Sequence, residues 1–361
     1  MSGVAAAAVG YGSYGVLIAD SNATRQRLNT LTQQAGSGLV ADTYAGLGAQ
    51  GAATSLSLSP VIASAAALHN GIGAAASQMQ VAQSALANLS RIANTFYTQT
   101  NSLNGLNAST VDSVAASARS ALAEVAGLLD SKSGDIYVFA GQDSGNPPVP
   151  DPDQIANSGF TTQITAAVAA LGSNGASATI AATLATAQSN ATGVSPFSAA
   201  LSQPAAVLAT LRSSVSVGGG QSVATGILAS GNGDVASTGS STTGSYTRDI
   251  LRALATLAGL SSSQIGATGF ADVVGDVRTS LGASITALNQ DAGVMGDRQA
   301  ALATTQTEIG DTATALKLQV SNAQDVDMAA TLSQITATQT QLQASYQLIA
   351  GMQSLSLVKY L

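Results

Sequence analysis

Two long runs of residues constrain this chain more than anything else in it. Val61, Ala65, Leu68, Ile72, Ala75, Met79, Ala82, Leu86, Leu89, Ala93, Phe96, Thr100 and Leu103 follow one another in alternating steps of four and three. Leu281, Ile285, Leu288, Ala292, Met295, Gln299, Leu302, Gln306, Ile309, Ala313, Leu316, Val320 and Ala323 do the same. Such spacing keeps one stripe of a helix facing a partner helix over many turns. At 1.5 Å per residue the first run predicts a rod of about 65 Å, too long for a globular helix and suited to a coiled coil. Pro60 stands just before it, where proline fits a helix start.

Shorter runs lie outside these two. Leu17, Ser21, Thr24, Leu28, Leu31 and Ala35 predict a helix from Val16, stopped by Gly36-Ser37-Gly38, with residues 1–15 small and flexible before it. Leu332, Ile335, Gln339, Leu342, Tyr346, Ile349 and Gln353 predict a C-terminal helix out of phase with the 281–323 seam. The phase breaks at Asp325-Val326-Asp327, where acids suit a new helix N-terminus. Between the long runs, Ser109 with Asp112 reads as a capping box for a helix reaching Leu129, which Gly134 would stop. Asp135 to Ala140 reads as a short strand. Residues 141–245 are rich in Ser, Thr, Ala, Gly and Pro, and predict short strands, turns and one helix near Pro204–Val215. A helix resumes over Tyr246–Leu260. The expected fold is mainly α: long antiparallel coiled-coil helices from both chain ends, nested, with a small mixed or β insert facing outward. The expected domains are 1–45 with 325–361 (terminal helices), 46–140 with 246–324 (rod) and 141–245 (insert).

Composition narrows the function classes. Charged residues make up 9% of the 361 and aromatics 4%, against a usual charged share of about 25%. A C-terminal helix with Lys359 as its single base has to be buried by something, either this chain or another copy. The net charge of −7 argues against a nucleic-acid binder, which needs a basic patch. With no Cys there is no disulfide framework or thiol chemistry. The N-terminus lacks the basic n-region of a signal peptide, since its first base is Arg25, and no window is expected to span a bilayer. No cofactor and no metal site is expected.

Several residues invite sharper readings. Gly10-Tyr11-Gly12-Ser13-Tyr14-Gly15 is a literal dinucleotide fingerprint with Asp42 downstream, and Gly231 to Ala236 also scans as one. Neither sits in a strand–helix alternation, so a small-residue terminus and a loop are the better readings. His69 flanks the long seam with no acid or hydroxyl partner to make it a base. Asp151 and Asp153 around Pro152 read as solvated turn carboxylates before they read as a cation site. Tyr346 and Met352 read as packing residues. Arg25 and Arg27 either pair with acids of a neighbouring subunit or stay solvated.

Order and placement of the motifs resemble the bacterial flagellin family, including its hook-associated proteins. The stretch Arg27 to Leu39 resembles that family's amphipathic helix ending in Ser-Gly, although Leu39-Val40-Ala41-Asp42 replaces the usual basic residue and Asp-Asp pair. Gly134-Asp135-Ile136-Tyr137-Val138-Phe139-Ala140-Gly141 is similar to the Gly-x-Tyr-Leu-Phe-Ser-Gly stretch of hook–filament junction proteins. The ending Gln343-Ala344-Ser345-Tyr346, then Leu355 to Leu361, also looks more like the junction protein than the major filament flagellin. The likeness covers residues 16–141 and 246–361. It implies a non-enzymatic structural subunit, exported unfolded through the flagellar type III apparatus without a cleaved signal peptide. It implies an extracellular place in the flagellum and support of motility. Implied partners are further copies of the chain, other axial proteins (hook-associated proteins and flagellin) and an export chaperone on the C-terminal helix, with neither nucleic acid nor membrane insertion. Leu17, Leu28, Leu31, Leu332, Ile335, Leu342, Tyr346 and Ile349 become candidate assembly residues. Leu68, Ile72, Met79, Leu86, Leu89, Phe96, Leu281, Ile285, Leu288, Leu302, Ile309 and Leu316 become the coiled-coil seam. The alternatives are the major filament flagellin, a secreted coiled-coil adhesin or adaptor, and a dinucleotide-binding protein.

Overall fold

The computed structural model describes residues 3–103 and 107–354, with the backbone alone at 3–14 and 352–354. Residues 104–106 and the motif at 355–361 fall outside the described residues. In chain order the helices are α1 (Gly3–Ser37), α2 (Gly48–Thr100), α3 (Ala108–Leu129), α4 (Gly159–Ala169), α5 (Leu171–Gln188), α6 (Ala205–Thr210), α7 (Tyr246–Gly259), α8 (Phe270–Gln324) and α9 (Met328–Ser354). Two antiparallel hairpins complete the list: β1 (Lys132–Ser133) with β2 (Ile136–Tyr137), and β3 (Ser214–Gly218) with β4 (Gln221–Ala224). The fold is mainly α, with long helices from both ends of the chain. It divides into two compact units, Met1–Ala66 with Gly310–Leu361, and Ala67–Ile309. The helices α2 and α8 run through both.

The unit 67–309 holds the core. Its α2 and α8 segments are antiparallel: Gln306 Nε2 donates to the His69 carbonyl (3.1 Å), Gln299 Nε2 to that of Ala76 (3.4 Å), and Arg278 to the Asn101 side chain (3.2 Å). The stripe from Ile72 to Leu103 is buried position by position, and Leu281, Leu288, Met295 and Leu302 answer it from α8. The two glutamines in the α8 stripe therefore bond backbone across the interface instead of leaving polar atoms stranded. Every residue of α7 except Gly259 is buried, and α3, α4 and α5 pack around it.

Several local expectations need correction. Helix α1 begins at Gly3, so residues 3–15 are helical, and the glycine fingerprint there has no strand or turn on which to hold a phosphate. Pro60 lies inside α2, not at its start. Its ring and Leu56 are exposed, so the carbonyl that loses its helical partner faces water. The cap of α3 is Asn107, whose Oδ1 accepts the Thr110 N–H (3.4 Å), while Asp112 instead accepts the Ser262 N–H (2.9 Å). Gly134 sits in the β1–β2 turn at φ 61° and not at the helix end. In place of one strand, residues 132–137 form the β1–β2 hairpin, and Val138, Phe139 and Ala140 run on into the core.

The segment 141–245, expected to face outward, is not purely outward. It contributes α4 and α5, and it buries Phe160, Ile164, Leu171, Phe197, Leu201 and Ile227 in the same core. Ala, Ser and Thr in α5 carry little apolar contrast, which is why the pattern did not announce a helix. The helix expected near Pro204–Val215 is the shorter α6, and β3 begins at Ser214. The expectation that no stretch could cross a bilayer also fails. Tyr44–Thr100 contains an 18-residue window of mean hydropathy 1.4, long and apolar enough by length and composition, of which 11% is buried. One helix that passes by length and composition alone carries no membrane argument.

Gly141 shows how tightly the segment is seated. At φ 63°, a Cβ there would lie 2.3 Å from the Leu211 carbonyl oxygen and 2.6 Å from a Leu228 methyl. Gly134 has nearly the same φ and open space around it. Gly134→Ala should therefore cost only the left-handed strain, about 1–2 kcal/mol. Gly141→Ala adds a backbone collision and should lose on the order of 3–5 kcal/mol in denaturant titration. Equal losses would mean that Gly141 is not wedged against Leu211.

Candidate assembly surface and its polar anchor

In the other unit, α1 and α9 pack side by side. At their joined ends the chain forms an antiparallel bridge between Leu39 and Asp325. Val40 N donates to the Gln324 carbonyl (2.7 Å) and Val326 N to that of Gly38 (2.9 Å), so the helices run antiparallel. Gly38, at φ 74°, closes α1 by donating its N–H to Gln34. Asp327 opens α9, its carboxylate accepting from Ala329 N and Ala330 N, both at 3.0 Å. The expected break between two helices at 325–327 is thus a capped joint.

The contact stripe of α1 is Leu17, Ser21, Thr24, Leu28 and Leu31, all buried or half-buried. On α9 the covered stripe is Thr331, Ile335, Thr338, Leu342, Ser345 and Ile349, again in steps of four and three. Leu332 and Tyr346 are about half exposed, at 53% and 47%, and Leu348 at 60%. The apolar seam read from the sequence is therefore split. Ile335, Leu342 and Ile349 face α1, whereas Leu332, Gln339 and Tyr346 face out. Each of the last three has a small hydroxyl neighbour (Thr331, Thr338, Ser345) that fits the close helix contact instead. Thr331 and Ser345 bond their hydroxyls to the carbonyls of Asp327 and Leu342, so neither is left unpaired in the contact.

The apolar bookkeeping of the two units is lopsided. The contiguous core runs from Ile72 to Leu302 and draws nothing from the terminal unit, whose buried apolar side chains among the described residues are Leu31 and Ala313. Conversely, large exposed apolar side chains concentrate there: Val16, Ile18, Tyr44, Leu56, Val61, Leu318, Met328, Leu332, Tyr346 and Leu348, against Tyr97, Ile136 and Val207 elsewhere. Of the residues expected to form the coil, Ile72, Met79, Leu86, Leu89, Phe96, Leu281, Leu288 and Leu302 are buried, while Leu68, Ile285, Ile309 and Leu316 are half-buried. Arg25 bonds the Asn22 side chain (2.8 Å) and Arg27 is exposed. Met352 lies among residues whose side chains are not described. Among the described residues no group of acids and histidine is placed to hold a metal, Asp151 and Asp153 included.

A polar anchor that the sequence did not reveal fastens the segment before α7 to α8. Buried Asp291 of α8 accepts from Gly233 N (2.6 Å), Asp234 N (2.8 Å) and Tyr246 OH (2.9 Å). Burial, with the Asp291 charge beside it, pushes the Tyr246 phenol well above its ordinary pKa. Asp234 is held in a fork by Arg212 (3.0 and 3.1 Å) and by Arg298 of α8. Deeper, Arg252 of α7 pairs with Asp276 of α8 at 2.9 Å, with Arg252 only 1% exposed. Removing one partner of such a buried pair costs about 3–5 kcal/mol. In the sequence, Thr247-Arg248-Asp249 and Arg252 look like a solvated helix face. Only their distant partners, which no spacing rule connects, show that they are not: Asp276 for Arg252, the Ala229 carbonyl for Thr247, and Ala187 and Asn190 for Arg248.

The Arg212 guanidinium, then that of Arg298, lowers the Asp234 carboxyl to about 2. A depressed folded-state pKa gives stability that is present above the unfolded value near 4 and lost as pH falls toward 2. Asp234→Asn should thus be less stable than the parent at pH 6, and the gap should close between about pH 4 and pH 2. A gap that ignores pH would contradict the ion-pair account.

Residues 279–361 match the family model of the bacterial flagellin C-terminal helical region. The match starts inside α8 and takes in the joint and α9. No curated protein matches the chain.

Proposed function

We propose that this chain is an axial subunit of the bacterial flagellum that polymerises through α1 and α9 into an extracellular helical assembly and so supports motility. The observation that carries the proposal is the terminal unit's excess of exposed apolar side chains over buried ones. Each such Leu or Ile contributes about 1.5–3 kcal/mol on burial, and further copies of the chain are the partner that a repeating assembly supplies. The terminal helices 1–45 and 325–361 form the assembly domain in this reading, 46–140 with 246–324 the rod, and 141–245 an elaboration of it. Other axial proteins adjoin it, and an export chaperone covers α9 before assembly. The Gly134–Gly141 and Gln343–Tyr346 stretches favour the hook–filament junction over the filament shaft.

Leu332→Asp should leave the monomer's thermal unfolding within about 1 °C of the parent, because the side chain faces water, yet block sedimentation of polymer. Leu342→Asp should damage both. Matching effects of the two would mean that the outward stripe has no partner. Deleting residues 325–361 should abolish polymerisation while the 67–309 unit still melts cooperatively, and polymer from the truncated chain would overturn the assembly role. Immunogold labelling of intact flagella decides placement. Label confined to the filament base supports the junction, and label along the shaft makes the chain a filament flagellin.

A further inference from the structure

A second feature belongs to the 67–309 unit and does not rest on the assembly role. An open cleft of about 420 Å³ is lined by α6, the end of α5, the 228–236 loop and the start of α7. That volume is in the range of small-ligand sites. Arg248 is part of its wall and is 94% buried, being 6% exposed. Its guanidinium donates to four neutral acceptors: the carbonyls of Ser230 (3.1 Å), Ala187 (2.9 Å) and Ser189 (3.3 Å), and Asn190 Oδ1 (2.7 Å). One of its five N–H groups is left over. Among the described residues no carboxylate lies within ion-pair distance of it, and the neighbouring Asp249 is engaged by Ser237 and by Thr243 N. A buried guanidinium without a counter-ion is costly, and burial draws its pKa down to about 10, opposed by the Asp249 charge.

The rest of the wall says which anion fits. Arg212 adds a second cation, and the one acid on the wall, Asp234, is already shared by Arg212 and Arg298. Gln188, Asn190 and Gln203 offer amide donors and acceptors, which suit hydroxyl groups. A phosphate would want a nest of free backbone N–H groups. Here the glycine-rich part of the loop turns its N–H groups elsewhere: Gly231 N goes to Leu228, and Gly233 N and Asp234 N go to Asp291. We infer that this cleft binds a carboxylate-bearing sugar of monosaccharide size, its carboxylate toward Arg248 and its hydroxyls toward the amides.

Saturation-transfer NMR on the full chain, with glucuronate and glucose as probes, tests this. Glucuronate should receive saturation, and glucose should be weaker by about tenfold, the value of one charge-assisted hydrogen bond. Because Arg248→Gln threatens folding, the companion variant is Ala209→Tyr, an exposed position on α6 that also lines the cleft. It should keep the parent's circular dichroism and lose glucuronate binding by at least about tenfold. The inference is overturned if glucose binds equally, if inorganic sulfate displaces glucuronate at equal concentration, or if Ala209→Tyr binds as the parent does. Absence of saturation transfer up to about 10 mM glucuronate, beyond which binding is too weak to be specific, overturns it as well.

Discussion

Everything in this chain follows from where its apolar surface can be buried. The stripes of α2 and α8 close on each other across residues 67–309, and α7 fills the space beside them. That single core uses up the large side chains between Ile72 and Leu302. The terminal unit is left with hydroxyls and glutamines, and with leucines that face water. A helix pair of that composition gains little from folding on itself, because helices in water owe most of their stability to packing of an apolar face. Assembly, as proposed above, is the physical remedy for that shortage of apolar contact.

The polar groups divide in the same way. In the terminal unit Thr and Ser hydroxyls return to carbonyls of their own helices, as at Thr24, Thr32, Thr331 and Thr336. Helix α9 has no charged residue, and the charges of α1 are Asp20, Arg25 and Arg27. In the 67–309 unit, by contrast, the few charges are spent inward. Arg252 with Asp276, and Asp234 with Arg212 and Arg298, tie distant parts of the chain to α8. A protein with 9% charged residues thus uses some of them as internal clasps, where low dielectric makes them count.

Much of the fold was legible. The four-three spacing located α1, α2, α8 and α9, and the acids at 325 and 327 marked the joint. Periodicity cannot choose between adjacent residues, however. It placed Leu332, Gln339 and Tyr346 on the contact stripe by apolarity and size, whereas the close α1 contact takes Thr331, Thr338 and Ser345. The helices α4 and α5 were hidden because Ala, Ser and Thr read alike in helix and loop. The burial of α7 was hidden because Arg248, Asp249 and Arg252 look solvated until their partners are known. Pro60 misled for a local reason: proline favours a first turn, but an exposed helix face tolerates it.

The central claim is that the terminal helices lack a core of their own and acquire one from neighbouring copies. Amide hydrogen exchange of the monomer and of the assembled polymer tests it most directly, since exchange reports local opening segment by segment. The account predicts fast exchange over 15–37 and 328–351 in the monomer, slowed by at least about a hundredfold on assembly, with the 72–100 and 246–302 segments protected in both. Terminal helices already as protected in the monomer as α7 would contradict it.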